Sequence, residues 1–327
     1  MGSLSTIGIV TCRNPEIEHL DKHGYLFGHP IAHSLSPLFH QTIFDALGLN
    51  WDYLLLPSTD IGQFLNLIRD RRCYGSAVTM PNKVAILPHL DAMTPECSAV
   101  GACNTVFWRD SKLVGANTDT IGIRESFYQN APDDVFRDKP GLVIGGGGAA
   151  RSAVYALVEY MKCKTVYLVN RDPSEVEATV ANCKAQGYGD GLVHVSSLAQ
   201  AESLEAPGAI VACVPNCAPV TESEWEVRRI AECFFKKSRK GAMLEMCYHP
   251  VIWTELADIA DRAGWIVIMG TEAMIYQGFE QARYWTGKDM ADLPVQRVKD
   301  VIMEELIRVR LQTGPPKNTR RRHSLVV

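Results

Sequence analysis

Apolar and polar positions along this chain follow two alternating rhythms. The continuous apolar run GYLFG at 24–28 predicts a buried strand, and over 37–47 the residues Leu38, Phe39, Ile43, Phe44 and Leu47 recur at helical spacing. WDYLLLP predicts a second strand, IGQFLNLIRDR a second amphipathic helix, and 74–79 a third strand stopped by Met80-Pro81. Strands alternating with helices predict a parallel-sheet α/β unit. Two shorter strands follow in NTVFWRD and SKLVGAN, joined by a polar turn at Asp110-Ser111. The Pro- and Asp-rich stretch 130–141 reads as a linker. After it come six apolar runs, GLVIGG, TVYLVNR, GLVHV, AIVACVP, AMLEMCY and WIVIMG, with helices between several of them. From about Glu272 the pattern is helical again, and no internal repeat is visible.

Composition bounds this picture without changing it. A chain of 327 residues suits two domains, and 46% hydrophobic with 21% charged residues belongs to a soluble globular protein with an ample core. A net charge of -4 gives no reason to expect nucleic acid or an anionic membrane as partner. The basic run Arg320, Arg321 and Arg322 follows Gly314-Pro315-Pro316 and reads as a solvated, disordered tail over 313–327. Ten cysteines lie scattered with no CxxC or Cys/His cluster, which argues against a metal and for reduced thiols in a cytoplasmic protein. The first twenty residues lack the build of a signal peptide. Gly2 with Ser5 and Thr6 comes near a myristoylation pattern, but a lone acyl chain anchors only weakly. No apolar stretch is long enough to span a bilayer.

The chemistry begins with LVIGGGGAARS, where a buried strand runs into a glycine turn and then a helix. Gly145 permits the tight turn, Gly147 lets the backbone approach a pyrophosphate, and Ala150 allows close helix–strand packing. Gly146, Gly148 and Ala149 complete the loop, whose helix N-terminus offers free N–H groups and a positive dipole to an anion. The second half is therefore expected to be a Rossmann-type doubly wound nucleotide-binding domain. The next strand ends in Asn170, Arg171 and Asp172, at the expected place of the adenosine ribose. Arg171 argues for NADP, whereas Asp172 and Glu175 repel a 2′-phosphate; the balance favours NAD, with NADP possible.

The first half carries Ser34 and Ser36 in GHPIAHSLSP, Thr79 and Lys83 in SAVTMPNK, Asn104 in GACNTV and Asp119 in GANTD. Taken singly, each is an ordinary turn, cap or surface residue. Together they fit a substrate that carries a carboxylate and several hydroxyls.

These motifs, with VNRD and MGTEAMIYQGFEQARYWTG, occur in the right order over residues 24–310, and the chain resembles the shikimate/quinate dehydrogenase family. The resemblance implies an N-terminal α/β substrate-binding domain built from both ends of the chain, 1–130 plus 272–312, with the dinucleotide-binding domain at 131–271. It implies that Ser34, Ser36 and Thr79 bind the substrate carboxylate and that Lys83 and Asp119 are catalytic at the ring hydroxyl. Asn104, Asp119 and Gln277 would orient the other hydroxyls, Tyr248 would border the cleft, and Gly270 would lie on the cofactor. The implied reaction is NAD-dependent oxidation of quinate, and of shikimate, to the 3-dehydro ketone. An NADP-linked biosynthetic shikimate dehydrogenase and a metabolite sensor without catalysis are the alternatives. The implied partner is a hydroxylated cyclic carboxylate, bound by a monomer or homodimer. Gln41, Glu245 and the segment CVPNCAP depart from the family's common pattern.

Overall fold

The computed structural model describes residues 17–249 and 251–313; the myristoylation-like start and the three consecutive arginines lie outside the described residues. Among the described residues, twelve strands form two six-stranded sheets. The first contains β1 (Lys22–Gly28), β2 (Trp51–Pro57), β3 (Cys73–Val78), β4 (Ala92–Met93), β5 (Thr105–Arg109) and β6 (Lys112–Ala116), in the order β2-β1-β3-β5-β6-β4. The second contains β7 (Pro140–Ile144), β8 (Thr165–Val169), β9 (Leu192–His194), β10 (Ala209–Ala212), β11 (Ala242–Glu245) and β12 (Ile266–Met269), in the order β12-β11-β10-β7-β8-β9.

The second sheet is parallel throughout, and all six apolar runs read from the sequence are its strands. The first sheet contains the parallel unit expected of its first three strands and adds an antiparallel part to it. β1 runs parallel to β2 and β3, but β5 is antiparallel to both β3 and β6. The reason lies in the connection. Only Asp110 and Ser111 separate β5 from β6, both at positive φ (50° and 60°), and so short a turn makes a hairpin, whereas parallel strands need a long crossover.

The end of the chain returns to the first sheet. On the helix Gly270–Thr286, Gly278 lies against the Phe39 ring, where a Cβ would be 2.7 Å from a ring carbon. Trp285 donates its indole N–H to the Val106 carbonyl at 3.1 Å and covers Gly75, whose φ of +152° and crowded surroundings admit no side chain. Met274, Ile275, Phe279, Val298 and Ile302 thereby share one core with Phe39, Ile43, Phe44 and Tyr53. Burying each of the large members contributes about 1.5–3 kcal/mol. The same helix crosses Asp119–Asn130 so closely that a Cβ on Gly122 would sit 2.4 Å from the Ala273 carbonyl oxygen.

Side-chain hydrogen bonds tie the two sheets' surroundings together. Asn117 Nδ2 donates to Ser152 Oγ at 3.0 Å, and Asn182 Nδ2 and the Tyr188 hydroxyl both donate to the Ala99 carbonyl at 2.9 Å. Among the described residues no helix is long and apolar enough to cross a membrane, and no cluster of three or more metal-ligating side chains occurs.

Candidate active site

In the second sheet the strand order reverses at β7 and β10, and ligands of such sheets bind outside the carboxyl ends at that reversal. The glycine turn sits there. Gly145, at φ +129°, donates its N–H to the Val169 carbonyl at 2.9 Å and faces Cys213, at the end of β10. Gly147 caps the helix Gly148–Tyr155 with no side-chain cap, and a Cβ built on it would project into open space. Bare N–H groups with open space before them suit a dinucleotide's pyrophosphate. Ala149 follows in the first turn, and Ala150 is buried in the core behind it. Gly148 abuts the other half of the molecule, where a Cβ would lie 3.1 Å from Lys83 Cβ.

Lys83 belongs to the short helix Asn82–Ala85, whose position is fixed by the Cys103 N–H donating to the Lys83 carbonyl at 2.7 Å. Its Nζ lies 2.5 Å from Asp119 Oδ2, with side chains only 15% and 9% exposed. Asp119 opens the helix Asp119–Asn130, where the dipole favours a carboxylate. Asn104 is the hub behind this pair. Its Nδ2 reaches Asp119 Oδ1 at 2.9 Å, Thr118 Oγ1 at 2.9 Å and Gln277 Oε1 at 3.2 Å, while its Oδ1 accepts from Thr118 N–H and Thr105 Oγ1. Two amide protons face three acceptors, so the cluster has spare capacity for a donor from a ligand.

Ser34 and Ser36 lie on the turn leading from β1 into the helix Ser36–Ala46, with Ser36 N–H donating to Ser34 Oγ at 3.2 Å. Thr79 follows β3, its N–H bonded to the Phe27 carbonyl at 2.8 Å. No hydrogen bond joins these three to the Lys83 cluster among the described residues, and the hydroxyls of Ser36, Thr79 and Tyr248 make none to any described residue. Tyr248, half-buried, has its hydroxyl pushed up to about 12, chiefly by burial and then by the neighbouring Cys247 and Asp119.

The end of β8 is more committed than its sequence suggests. Asn170 Nδ2 donates to Glu175 Oε2 at 2.6 Å, and both side chains press on Gly146, where a Cβ would lie 2.3 Å from each. Asp172 Oδ1 accepts from Ser174 N–H (2.9 Å) and Oγ (2.7 Å) and caps the helix Pro173–Ala185. The Asp-Pro start of that helix is a legible capping signal. Arg171 is ion-paired with Glu224, on the helix Glu222–Lys236. Gly270 has a packing reason of its own, since a Cβ there would be 2.5 Å from the carbonyl oxygens of Glu245 and Met246. Sequence reasoning passed over Thr118, Ser152, Gln281 and Glu224. Thr118 lies inside the quoted GANTD motif, while Gln281, which donates to Thr105 Oγ1 at 3.0 Å, had only its place in QGFEQARYW as a signal.

Glu245 ends β11, is 2% exposed, and accepts from Thr254 Oγ1 at 2.8 Å and Cys247 N–H at 3.1 Å, so it ties down the segment that carries Tyr248. Burial without a cation pushes its carboxyl up to about 7 despite those two bonds. A carboxyl raised above its unfolded value binds more protons when folded, so stability falls as pH rises from about 4.5 to about 7. The Glu245→Gln protein should therefore gain on wild type across that window, by about 2–3 kcal/mol at pH 8 relative to pH 4.5. Thermal unfolding at both pH values measures this, and a constant difference would refute it.

A profile described as the shikimate dehydrogenase substrate binding domain matches residues 26–106. The quinate dehydrogenase of Emericella nidulans is 44% identical over 307 residues, covering 86% of this chain and 93% of that one. A shikimate 5-dehydrogenase of Thermus thermophilus, solved with NADP(H) and shikimate, aligns with a TM-score of 0.68 at 29% identity, over 86% of this chain and 99% of that one. The quinate dehydrogenase of Corynebacterium glutamicum, solved with NAD, has the same fold, with a TM-score of 0.71 at 22% identity over 87% of this chain and 99% of that one. The chain belongs to the shikimate/quinate dehydrogenase family of NAD(P)-dependent oxidoreductases.

Proposed function

We propose that this protein oxidises a ring carbinol of quinate to 3-dehydroquinate, accepts shikimate in the same site, and prefers NAD. The observation that carries the reading is the Lys83–Asp119 contact at 2.5 Å, set beside the glycine turn and backed by Asn104 and Gln277. In this reading residues 1–130 and 272–312 form the substrate unit and 131–271 the cofactor unit.

Ser34, Ser36 and Thr79 bind the ring carboxylate with directional hydroxyls. Asn104, Asp119 and Gln277 pair the ring hydroxyls, and a site built to pair hydroxyls rejects analogues that lack them. Tyr248 closes the cleft from the cofactor side. As the carbinol becomes a ketone, the uncharged form of the Lys83 amine takes the hydroxyl proton, and the Asp119 carboxylate holds the ammonium that results. In the reverse direction the same amine returns the proton. A bound nicotinamide dinucleotide supplies the hydride acceptor; Gly145, Gly146, Gly147, Gly148, Ala149 and Ala150 would hold its pyrophosphate, with Asn170, Arg171 and Asp172 toward its ribose and Gly270 near its reactive end.

The similarity to a quinate dehydrogenase at 44% identity supports quinate, and the carboxylates of Asp172 and Glu175 support NAD. Arg171 and the relative solved with NADP(H) and shikimate favour the second reading, an NADP-linked shikimate dehydrogenase. Initial rates with quinate or shikimate, each with NAD or NADP, separate the two. The quinate–NAD mixture should dominate, and a dominant shikimate–NADP rate would overturn the proposal.

A further inference from the structure

Arg171 is the only cation in the segment 169–175, where a 2′-phosphate on a bound dinucleotide would seek one. Its guanidinium is already taken, because Nη1 bonds to Glu224 Oε1. The carboxylate is held in place by something other than the arginine. Glu224 Oε2 accepts the N–H groups of Val220 at 2.9 Å and Thr221 at 3.0 Å, and Glu224 N–H donates to Thr221 Oγ1, forming a complete capping box. Those backbone bonds, more than Arg171, lower the Glu224 carboxyl to about 2, so it is an anion at any working pH. The helix N-terminus thus carries a fixed negative charge, and the more exposed partner, at 65%, is Arg171. An exposed ion pair adds little to stability, so the consequence of this one is the charge it cancels.

We propose that Glu224 is a cofactor-selectivity residue: by neutralising Arg171 it deprives a ribose 2′-phosphate of its cation and favours NAD over NADP. The inference rests on the dinucleotide reading and deepens it. One arginine then stands against three carboxylates, Asp172, Glu175 and Glu224, and a phosphate entering this corner meets net negative charge.

The test uses Glu224→Gln, which keeps an acceptor for the capping box and removes the charge. Equilibrium binding of adenosine 2′,5′-bisphosphate and of 5′-AMP reads the corner without turnover, alongside kcat/KM for NADP and NAD. The variant should bind the bisphosphate about tenfold more tightly, with 5′-AMP changed less than about twofold, and kcat/KM for NADP should rise by a similar factor. Adding Arg171→Ala to that variant should erase the gain, whereas Arg171→Ala alone uncovers the fixed Glu224 charge and should weaken bisphosphate binding by about tenfold, with 5′-AMP again changed less. Equal responses of the two nucleotides, a gain that survives loss of Arg171, or an unchanged bisphosphate affinity in the single Arg171→Ala protein would each overturn the proposal. Failure of wild-type protein to bind 5′-AMP or NAD would overturn the dinucleotide reading itself, and this inference with it.

Discussion

Lys83→Ala is expected to abolish turnover while leaving quinate bound almost as well as before. The amine lies 2.5 Å from Asp119 beside the glycine turn, whereas the proposed carboxylate contacts, Ser34, Ser36 and Thr79, do not depend on it. Removing a positioned acid–base group costs about 10²–10⁴-fold in rate. The Asp119 carboxylate, 9% exposed, loses its cation, so a stability loss of about 1–3 kcal/mol accompanies the change. Because the loss is in the chemical step, kcat falls and the dissociation constant for quinate, measured by titration calorimetry, stays within a few-fold of wild type. A variant that retains kcat within tenfold would remove Lys83 from the mechanism.

The second large effect is expected at Asn104. Its amide serves Asp119, Thr118, Gln277 and Thr105 together, from a position that is 3% exposed. Asn104→Ala strands the Thr118 N–H and frees Asp119 and Gln277 to turn. Each buried polar group left unpaired costs about 1–3 kcal/mol, and losses within one network do not simply add, so a total of about 2–4 kcal/mol is expected. Activity should fall by about 10²-fold or more, with KM for quinate rising, because both the pair and the hydroxyl-binding groups lose their geometry. Chemical denaturation and steady-state kinetics measure the two effects together. Wild-type stability in the alanine protein would show that the hub is held by its neighbours instead.

Much of this architecture is legible in the sequence because parallel strands buried on both faces leave continuous apolar runs. All six strands of the second sheet announce themselves in that way, GLVIGG and AMLEMCY among them. The glycine turn is legible for the same local reason, since strand, turn and helix adjoin in the chain. β4 is not, being two residues long and stabilised by pairing with β6. The antiparallel course of β5 was implicit in the Asp110-Ser111 turn, which was read as a joint without its directional consequence. Long-range partners left no local trace. Gln277 meets Asn104 from 173 positions away, and Glu224 meets Arg171 from 53. Asp172 shows the opposite difficulty, in that a residue legible as a helix cap was read for its bearing on the cofactor alone.

The return of the Gly270–Thr286 helix to the first sheet sets an order of events during translation. β1, β2 and β3 leave the ribosome first, yet Phe39, Phe44, Tyr53 and Tyr74 wait for Phe279 and Trp285 to cover them. Between those moments the six parallel strands β7 to β12 are synthesised without interruption, and the late helix adds only Ala273 to the buried core they share with Ile123 and Phe127. The nascent chain therefore holds an uncovered aromatic surface ahead of a completed second sheet, the kind of species that chaperones engage. Gln277 reaches Asn104 only when the late helix docks, so the polar cluster of the site is among the last things the growing chain assembles.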